Sequence, residues 1–390
     1  MLWSPEDAVA FLKRVAAIAA LAACAAAAQA GPREQAKRIH DRIAGVPPSA
    51  SVLNQMEAEV AGGDAEAAAM IPMDNPSFYS VTLKNLVTPW TNRERTVFAP
   101  LNDYTATVIG MARDDAPFNE VLSADILYVG GGGLGLPAAS ASTNDHYEQM
   151  ESRGVNLVTG LVRTTQSGVY GTPPAATAGV MTSRAAAQSF FIAGTNRAMF
   201  RFTLMNHMCM DMEQVHDTSI APDRIRQDVS RSPGGDSRVF LNNCIGCHAG
   251  MDPLAQAFAY YDFDETSARL VYDSSAVNSK YFNNNATFGD GFVTPDDSWH
   301  NHWRQGQNAL IGWSSTLPGQ GNGAKSLGEE LAGTQAFAQC QVKKVFKAVC
   351  LRDPVDANDR NKVDAMTNTF RNAYNLKQVF AESAGYCMGQ

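Results

Sequence analysis

One pentapeptide constrains this chain more than any other feature: Cys244-Ile245-Gly246-Cys247-His248 has the form C-x-x-C-H. On a turn of helix the two cysteines lie on one face, and the histidine four residues after the first cysteine lies beside them. Thiols in that position reach the two vinyl groups of a haem as thioethers, and the imidazole approaches the iron from the same side. The motif therefore predicts one covalent haem c with His248 as the proximal ligand.

Two other interpretations of the motif compete with haem attachment. A redox C-x-x-C pair belongs to a thioredoxin-like strand–turn–helix unit, and the flanking Asn242-Asn243 and Ala249-Gly250 do not resemble one. Half of a zinc site would need a second ligand pair at matched spacing, and none is obvious in the sequence. Haem attachment is the interpretation that the flanking residues favour.

Residues 1–30 have the pattern of an export signal, which agrees with haem attachment because that reaction takes place outside the cytoplasm. Lys13 and Arg14 form the positive region, Val15–Ala28 is a short apolar run, and Ala28-Gln29-Ala30 is a small-x-small cleavage site. The alternative of a buried alanine-rich helix fits poorly with so short a run behind a basic pair. We expect a periplasmic or otherwise exported protein that begins at Gly31.

A second form of export signal overlaps the first. Leu21-Ala22-Ala23-Cys24 resembles the segment in which a cysteine is lipidated and becomes the first mature residue. An outer-membrane lipoprotein with a lipid anchor at Cys24 is therefore the second choice of location.

Four cysteines outside both the signal and the motif are disulfide candidates: Cys209, Cys340, Cys350 and Cys387. An oxidising compartment permits two disulfides among them, whereas four reduced core thiols are the alternative. Cys340 and Cys350 lie on one predicted helix about 15 Å apart, and a disulfide needs Cα atoms within about 7 Å. Each therefore pairs with Cys209 or Cys387, and the sequence does not choose between the two arrangements.

Composition and patterning indicate a mainly α fold. The 390 residues are 45% hydrophobic and 18% charged, with 31 Lys plus Arg against 39 Asp plus Glu, a net charge of −8. That balance disfavours nucleic-acid binding, and no apolar run after the signal has the roughly 20 residues needed to span a bilayer. We expect a multi-helix protein with long loops around an embedded cytochrome c-like haem module. The predicted regions are the signal peptide at 1–30, an N-terminal helical region at 31–190, the haem module at 191–272, a Gly/Asn/Asp-rich loop region at 273–326 and a C-terminal helical module at 327–390.

The segment around the motif resembles a known family. Asn243–Asp264, which reads NCIGCHAGMDPLAQAFAYYDFD, is similar to the haem segment of the planctomycete-type cytochromes, a group of exported bacterial haem proteins. In that group the motif is followed by an Asp-Pro-Leu/Ile step and a short helix that ends in Phe-Asp, matched here by Asp252-Pro253-Leu254 and Phe263-Asp264.

With weaker similarity elsewhere, the resemblance to this family covers about half of the chain and is strong only near the motif. Phe337–Val342, together with Val345, Cys350, Arg352 and Pro354, resembles its C-terminal helical module. Arg42–Ser49 and Asp115–Ala124 loosely resemble its N-terminal helices. The resemblance implies haem binding and electron transfer, and it supplies no substrate.

The distal side of the haem decides between electron transfer and catalysis, since electron carriers fill the sixth iron position with Met or His. No Met lies between Asp252 and Ala365, so a nearby downstream Met ligand is excluded. Met212 and His300 are the leading distal candidates, ahead of His302, Met210 and His216. A stripe of Met residues on one predicted helix is also compatible with plain core packing, and both downstream His residues with a solvated loop.

These features favour an exported monohaem cytochrome that transfers single electrons to a redox partner protein. Whether the protein is also an enzyme stays open, although the motif points to a carrier rather than a catalyst. One alternative is a peroxidase-like haem enzyme with an open sixth iron position. The other is a structural subunit of an envelope complex, in which the covalent haem stabilises the fold of this chain.

Overall fold

The computed structural model describes residues 30–192, 194–281 and 288–388. The predicted export signal lies outside the described residues, Cys24 included, and only its last residue, Ala30, is described. The described chain is 58% helix and 7% strand, which confirms the mainly α class. The cytochrome-like module and the boundaries of the five regions stay predictions.

The α-helices, numbered in chain order, are α1 Pro32–Ala44, α2 Ala50–Ala61, α3 Ala65–Met70, α4 Lys84–Val87, α5 Asp103–Arg113, α6 Asp145–Ser152, α7 Leu157–Gly160, α8 Gln166–Tyr170, α9 Arg184–Phe190, α10 Arg197–Thr203, α11 Ser237–Val239, α12 Ile245–Ala255, α13 Gly323–Ala332, α14 Gln335–Cys350, α15 Ala357–Ala373 and α16 Leu376–Cys387. Three segments form π-helical turns, at Phe78–Leu83, Leu204–Met208 and Phe240–Cys244. The last of these leads directly into α12, which carries most of the motif.

The strands form three separate antiparallel pairs. They are β1 Leu127–Gly130 with β2 Leu161–Thr164, β3 Tyr261–Asp264 with β4 Arg269–Tyr272, and β5 Ser298–His300 with β6 Gln320–Asn322. In the third pair Trp299 lies opposite Gly321 and His300 opposite Gln320. The described chain therefore has no large sheet, as the sequence pattern predicts.

The hydrophobic core joins the two ends of the described chain. Helix α16 packs against α3 and α14, and α1 packs against α2 and contacts α14 and α16. Apolar side chains from Ala36 to Cys387 belong to this one cluster. Local signals explain where the first helices start and stop: Ser49 accepts a hydrogen bond from the Val52 amide at the start of α2, and Gly45 ends α1 with a left-handed φ of 72°.

The four candidate cysteines form two pairs at disulfide distance. Cys209 is joined to Cys340 and Cys350 to Cys387, with Cα–Cα distances of 5.3 and 5.5 Å. Cys340 and Cys350 both lie on α14 and do not pair with each other, as the helix length predicts. The alternative of four reduced thiols is therefore wrong for the described structure.

One helix predicted from the sequence ends early. The periodicity predicts helix to about Val215, with Met205, Met208, Met212 and His216 on one face. Instead the π-helical turn ends at Met208. The next residue, Cys209, forms a disulfide with Cys340 and adopts a left-handed φ of 54°. Met212 and His216 therefore do not share a helical face with Met205 and Met208.

No helix among the described residues is long and apolar enough to cross a membrane.

Candidate haem site

The C-x-x-C-H motif spans the junction between the π-helical turn Phe240–Cys244 and α12. At about 100° per residue, Cys244, Cys247 and His248 fall within one third of the helix circumference. All three are partly exposed. Cys244 and Cys247 are free thiols, whereas the other four cysteines of the described chain form disulfides. The two thiols and the imidazole thus face one accessible side of the helix.

The imidazole of His248 is held by a carboxylate one turn further along α12. Its Nδ1 lies 3.2 Å from Oδ1 of Asp252, and its side chain is 22% exposed. Within the described chain, Nε2 has no hydrogen-bond partner. Histidines that ligate metals commonly donate their second ring N–H to a carboxylate, which fixes the ring and raises its basicity. His248 is therefore oriented with one nitrogen engaged and the other available to a ligand.

Asp252 is buried and lies in a network of two arginines and a second aspartate. Arg197 binds both of its oxygens, at 2.6 and 2.9 Å, and also binds both oxygens of Asp228 at 2.5 and 2.9 Å. Arg226 Nη2 lies 3.9 Å from Oδ1 of Asp252. Burial alone would raise the pKa of Asp252, but the two arginines hold that pKa well below its usual range. The group beside His248 is therefore a buried anion.

Two glycines of α12 are covered by rings from other segments. A Cβ at Gly246 would lie 2.4 Å from Nε2 of His216, and a Cβ at Gly250 would lie 1.8 Å from Nε1 of Trp303. Each ring occupies the space that a side chain would need. His216 therefore lies on the side of α12 opposite the motif, whereas Trp303 covers Gly250 one turn beyond Cys247, on the flank of the helix.

The five distal candidates lie in different places around the motif. The backbone oxygen of Met212 accepts a hydrogen bond from the Cys247 thiol at 3.5 Å, so this residue is beside the motif. His216 packs on Gly246 on the opposite face. His300 and His302, with ring centres 4.7 Å apart, line a cavity of about 330 Å³. Met210 lines a second cavity of about 460 Å³.

Apolar side chains pack under the motif and occur in the segment that precedes it. A small buried cluster packs under it, formed by Ile225, Val229, Phe240, Ile245 and Ala249. Before Cys244, Val239 is 37% exposed and Leu241 is 54% exposed. Exposed large apolar side chains in the segment that leads into two free thiols fit the attachment of a flat apolar group such as a porphyrin. The residues present therefore fit the haem that the motif predicts.

Sequence reasoning missed the ion-pair network behind His248. One signal was available, because His248 and Asp252 stand four residues apart, the spacing at which helical side chains meet. Arg197 and Asp228 come from distant segments and carry no local signal. Arg226 is buried and donates to Thr195 Oγ1 at 2.6 Å.

Among the described residues, no group of three or more His, Cys, Asp and Glu side chains is placed to hold a metal ion. That finding concerns ions held by side chains alone, since a haem iron takes four ligands from its porphyrin and only the axial ones from protein.

Comparison of the chain with protein-family models, curated proteins and solved structures finds no match in any of the three.

Proposed function

We propose that this chain is an exported monohaem c-type cytochrome of the planctomycete type that transfers single electrons to a redox partner protein. The observation that carries the proposal is the shared face of Cys244, Cys247 and His248. The two thiols are free in a chain whose other described cysteines are paired, and the imidazole is held by a buried anion.

The residues of the site have separable tasks. Cys244 and Cys247 would hold the haem as thioethers, and His248 would offer Nε2 to its iron. Asp252 accepts a hydrogen bond from Nδ1 and so holds the ring in its orientation. A bound haem would supply a centre that gains and loses one electron.

Location outside the cytoplasm has independent support. The disulfides Cys209–Cys340 and Cys350–Cys387 are typical of proteins that fold in oxidising compartments. Haem attachment through cysteine belongs to the same compartments. We propose a periplasmic protein, and the form of its export signal decides between a free protein and one anchored at Cys24.

We propose Met212 as the distal ligand. Its backbone already contacts Cys247, whereas His216 packs on the face of α12 opposite the thiols. His300 and His302 line a separate cavity whose lining includes neither Cys244 nor Cys247.

Covalent attachment is tested by producing the full-length protein in a bacterium with a cytochrome c maturation system. The intact mass should rise by one haem, and the haem should survive denaturation. Changing Cys244 and Cys247 together to Ala should abolish attachment. A matched control changes Cys350 and Cys387 together to Ala, which removes two cysteines and leaves the motif intact. Wild-type protein that matures without haem would overturn the proposal.

Electron transfer is tested by the spin state of the ferric holoprotein, from absorption and electron paramagnetic resonance. A low-spin iron that ignores added cyanide or carbon monoxide supports a protein ligand at the sixth position, and Met212→Ala should then give a high-spin form. A high-spin wild-type iron that binds those ligands would instead favour the peroxidase-like alternative.

A further inference from the structure

A cavity of about 330 Å³ lies between the segment that follows β5 and residues 217–221. Its lining includes two imidazoles and one carboxylate, those of His300, His302 and Asp217. Nitrogen and oxygen donors of this kind are the usual protein ligands of transition-metal ions. The proposed function assigns no task to these three side chains.

The two histidines of this cavity have the spacing of a metal-binding pair. His300 ends β5 and His302 follows two residues later, with an extended residue between them, so both side chains reach the same cavity. Their ring centres are 4.7 Å apart. Two imidazoles bound to one ion at about 2.0–2.1 Å, with an angle of about 90–109° at the ion, have ring centres about 4.5–5.3 Å apart. The observed separation falls within that range.

Both imidazoles are available to a ligand. Neither ring forms a hydrogen bond within the described chain, and Nε2 of His302 is buried without a partner. Burial, together with the charges of His300 and Arg224, lowers the pKa of His302, whereas Asp223 opposes that shift. His302 is therefore neutral at pH 7, and the neutral imidazole is the form that binds metal ions.

The carboxylate of the same cavity is only half satisfied. Oδ1 of Asp217 accepts hydrogen bonds from the amide and the hydroxyl of Ser219, at 2.9 and 2.6 Å. Its Oδ2 is buried and has no partner within the described chain, and the residue is only 6% exposed. A buried carboxylate oxygen without a donor or a counter-ion is costly. A cation in the cavity offsets that cost.

We infer that His300 and His302 form a binding site for a divalent transition-metal ion of the copper or zinc type. Imidazole suits Cu²⁺ and Zn²⁺, whereas Mg²⁺ prefers carboxylate, carbonyl and water oxygens. No third His, Cys, Asp or Glu of the described chain is placed to join the pair, so water completes the coordination. Asp217 contributes its negative charge from the wall of the cavity rather than a bond to the ion.

The site borders the motif without depending on it. The amide of Asp217 donates to the carbonyl oxygen of Gly246 at 2.9 Å, which joins the wall of the cavity to the backbone of the motif. The distal ligand proposed above is Met212, which leaves both imidazoles of the cavity free for another ion. Haem attachment is measured by mass and this site by metal titration, so the two proposals can fail separately.

Isothermal calorimetry on the full-length protein, produced without a histidine tag, tests the site. Iodoacetamide is added first, so that any thiol of Cys244 or Cys247 that carries no haem is blocked. The probes are Cu²⁺ and Zn²⁺, with Mg²⁺ as the ion that should not bind. We expect one ion per chain and tighter binding of Cu²⁺ than of Zn²⁺, the order in which nitrogen sites prefer these ions.

Two substitutions assign the binding to the pair. His300→Gln and His302→Gln should each weaken it by about tenfold or more, since loss of even an outer partner of a metal ligand has an effect of that size. Gln305→Ala is the matched control, because Gln305 is exposed and lines the same cavity without a metal-binding nitrogen or carboxylate. The control should bind as the wild type does.

A measurement on the wild-type protein covers the case in which a histidine variant does not fold. X-ray absorption at the zinc edge of the Zn²⁺ complex should show two imidazole ligands and no sulfur. Failure of both Cu²⁺ and Zn²⁺ to bind would overturn the inference. So would a zinc environment without two imidazoles, or histidine variants that bind as tightly as Gln305→Ala.

Discussion

The carboxylate of Asp252 is the single group on which the candidate site depends most. It is buried and anionic, and it neutralises Arg197 and Arg226 while it holds His248. Asp252→Asn keeps the shape of the side chain and removes the charge, so two buried guanidinium groups lose a partner. Breaking one partner of a buried ion pair is strongly destabilising, and we expect a loss of about 3–5 kcal/mol in unfolding free energy. Urea denaturation at pH 7 measures it.

The matched control for Asp252→Asn is Asp273→Asn, an exposed aspartate that accepts from the Ser275 amide. We expect this surface change to alter stability by no more than about 0.5 kcal/mol. Equal effects of the two substitutions would show that the buried network contributes nothing special.

The lowered pKa of Asp252 also predicts how stability depends on pH. A carboxyl whose pKa in the folded state lies below its unfolded value of 3.8 stabilises the fold above that value. This contribution is lost as pH falls below about 4 toward the folded pKa. The stability gap between wild type and Asp252→Asn should therefore be largest near pH 7 and narrow in acid. Urea titrations at pH 7, 5, 4 and 3 test this, and a gap that stays constant contradicts it.

For single residues, the sequence predicts the chemistry of a side chain better than it predicts which other side chains it contacts. The motif alone indicates which face of a helix Cys244, Cys247 and His248 share, because spacing determines that face. The Cys209–Cys340 and Cys350–Cys387 pairings could only be narrowed to two arrangements, since the choice depends on which helices meet. The partners of Asp252 could not be found, because long-range ion pairs leave no local pattern.

Among the elements, α12 combines the motif with two positions that require glycine. The rings of His216 and Trp303 occupy the space beside Gly246 and Gly250. Glycine in a helix interior is otherwise unfavourable by about 1 kcal/mol relative to alanine. Close packing therefore outweighs helix propensity in this element.

Gly250→Ala should accordingly destabilise the protein by about 1–3 kcal/mol, because its methyl group would overlap the buried indole of Trp303. Thermal unfolding followed by circular dichroism measures the change. Gly385→Ala on α16 is the control, since the nearest atom to its new Cβ lies at 3.5 Å, an ordinary contact. The control should be neutral or slightly stabilising, and a similar loss in both variants would refute the packing argument.

The elements also show where periodicity fails as a guide. The Met and His spacing predicts a continuous helix to about Val215, but the chain turns at Cys209. Cys209 forms a disulfide with Cys340 on α14 and has a left-handed backbone conformation, and these two constraints end the helix. Neither constraint is visible in the local sequence, so this break could not be predicted.

In the whole molecule, the two disulfides close loops of different length. The Cys209–Cys340 pair is separated by 131 residues and the Cys350–Cys387 pair by 37. In the chain-entropy description, a disulfide stabilises the fold by restricting the unfolded chain. The stabilisation is at most about 5 kcal/mol for the longer loop and about 4 kcal/mol for the shorter one. The double change of Cys209 and Cys340 to Ser should therefore lower the unfolding free energy by about 1 kcal/mol more than that of Cys350 and Cys387. Guanidinium denaturation compares the two, and the reverse order would contradict the prediction.

The first and last helices of the described chain are direct neighbours, and this arrangement determines the order in which the molecule can be completed. Arg38 on α1 donates to the Met388 carbonyl oxygen at 2.7 Å, and Arg42 donates to the carbonyl oxygen of Val349 at 2.8 Å. Because the ribosome makes α1 first and α16 last, more than three hundred residues are added after α1 before α16, its packing partner, has been made. Residues 244–248 are made within that interval, so the motif is accessible before α1 and α16 can pack against each other.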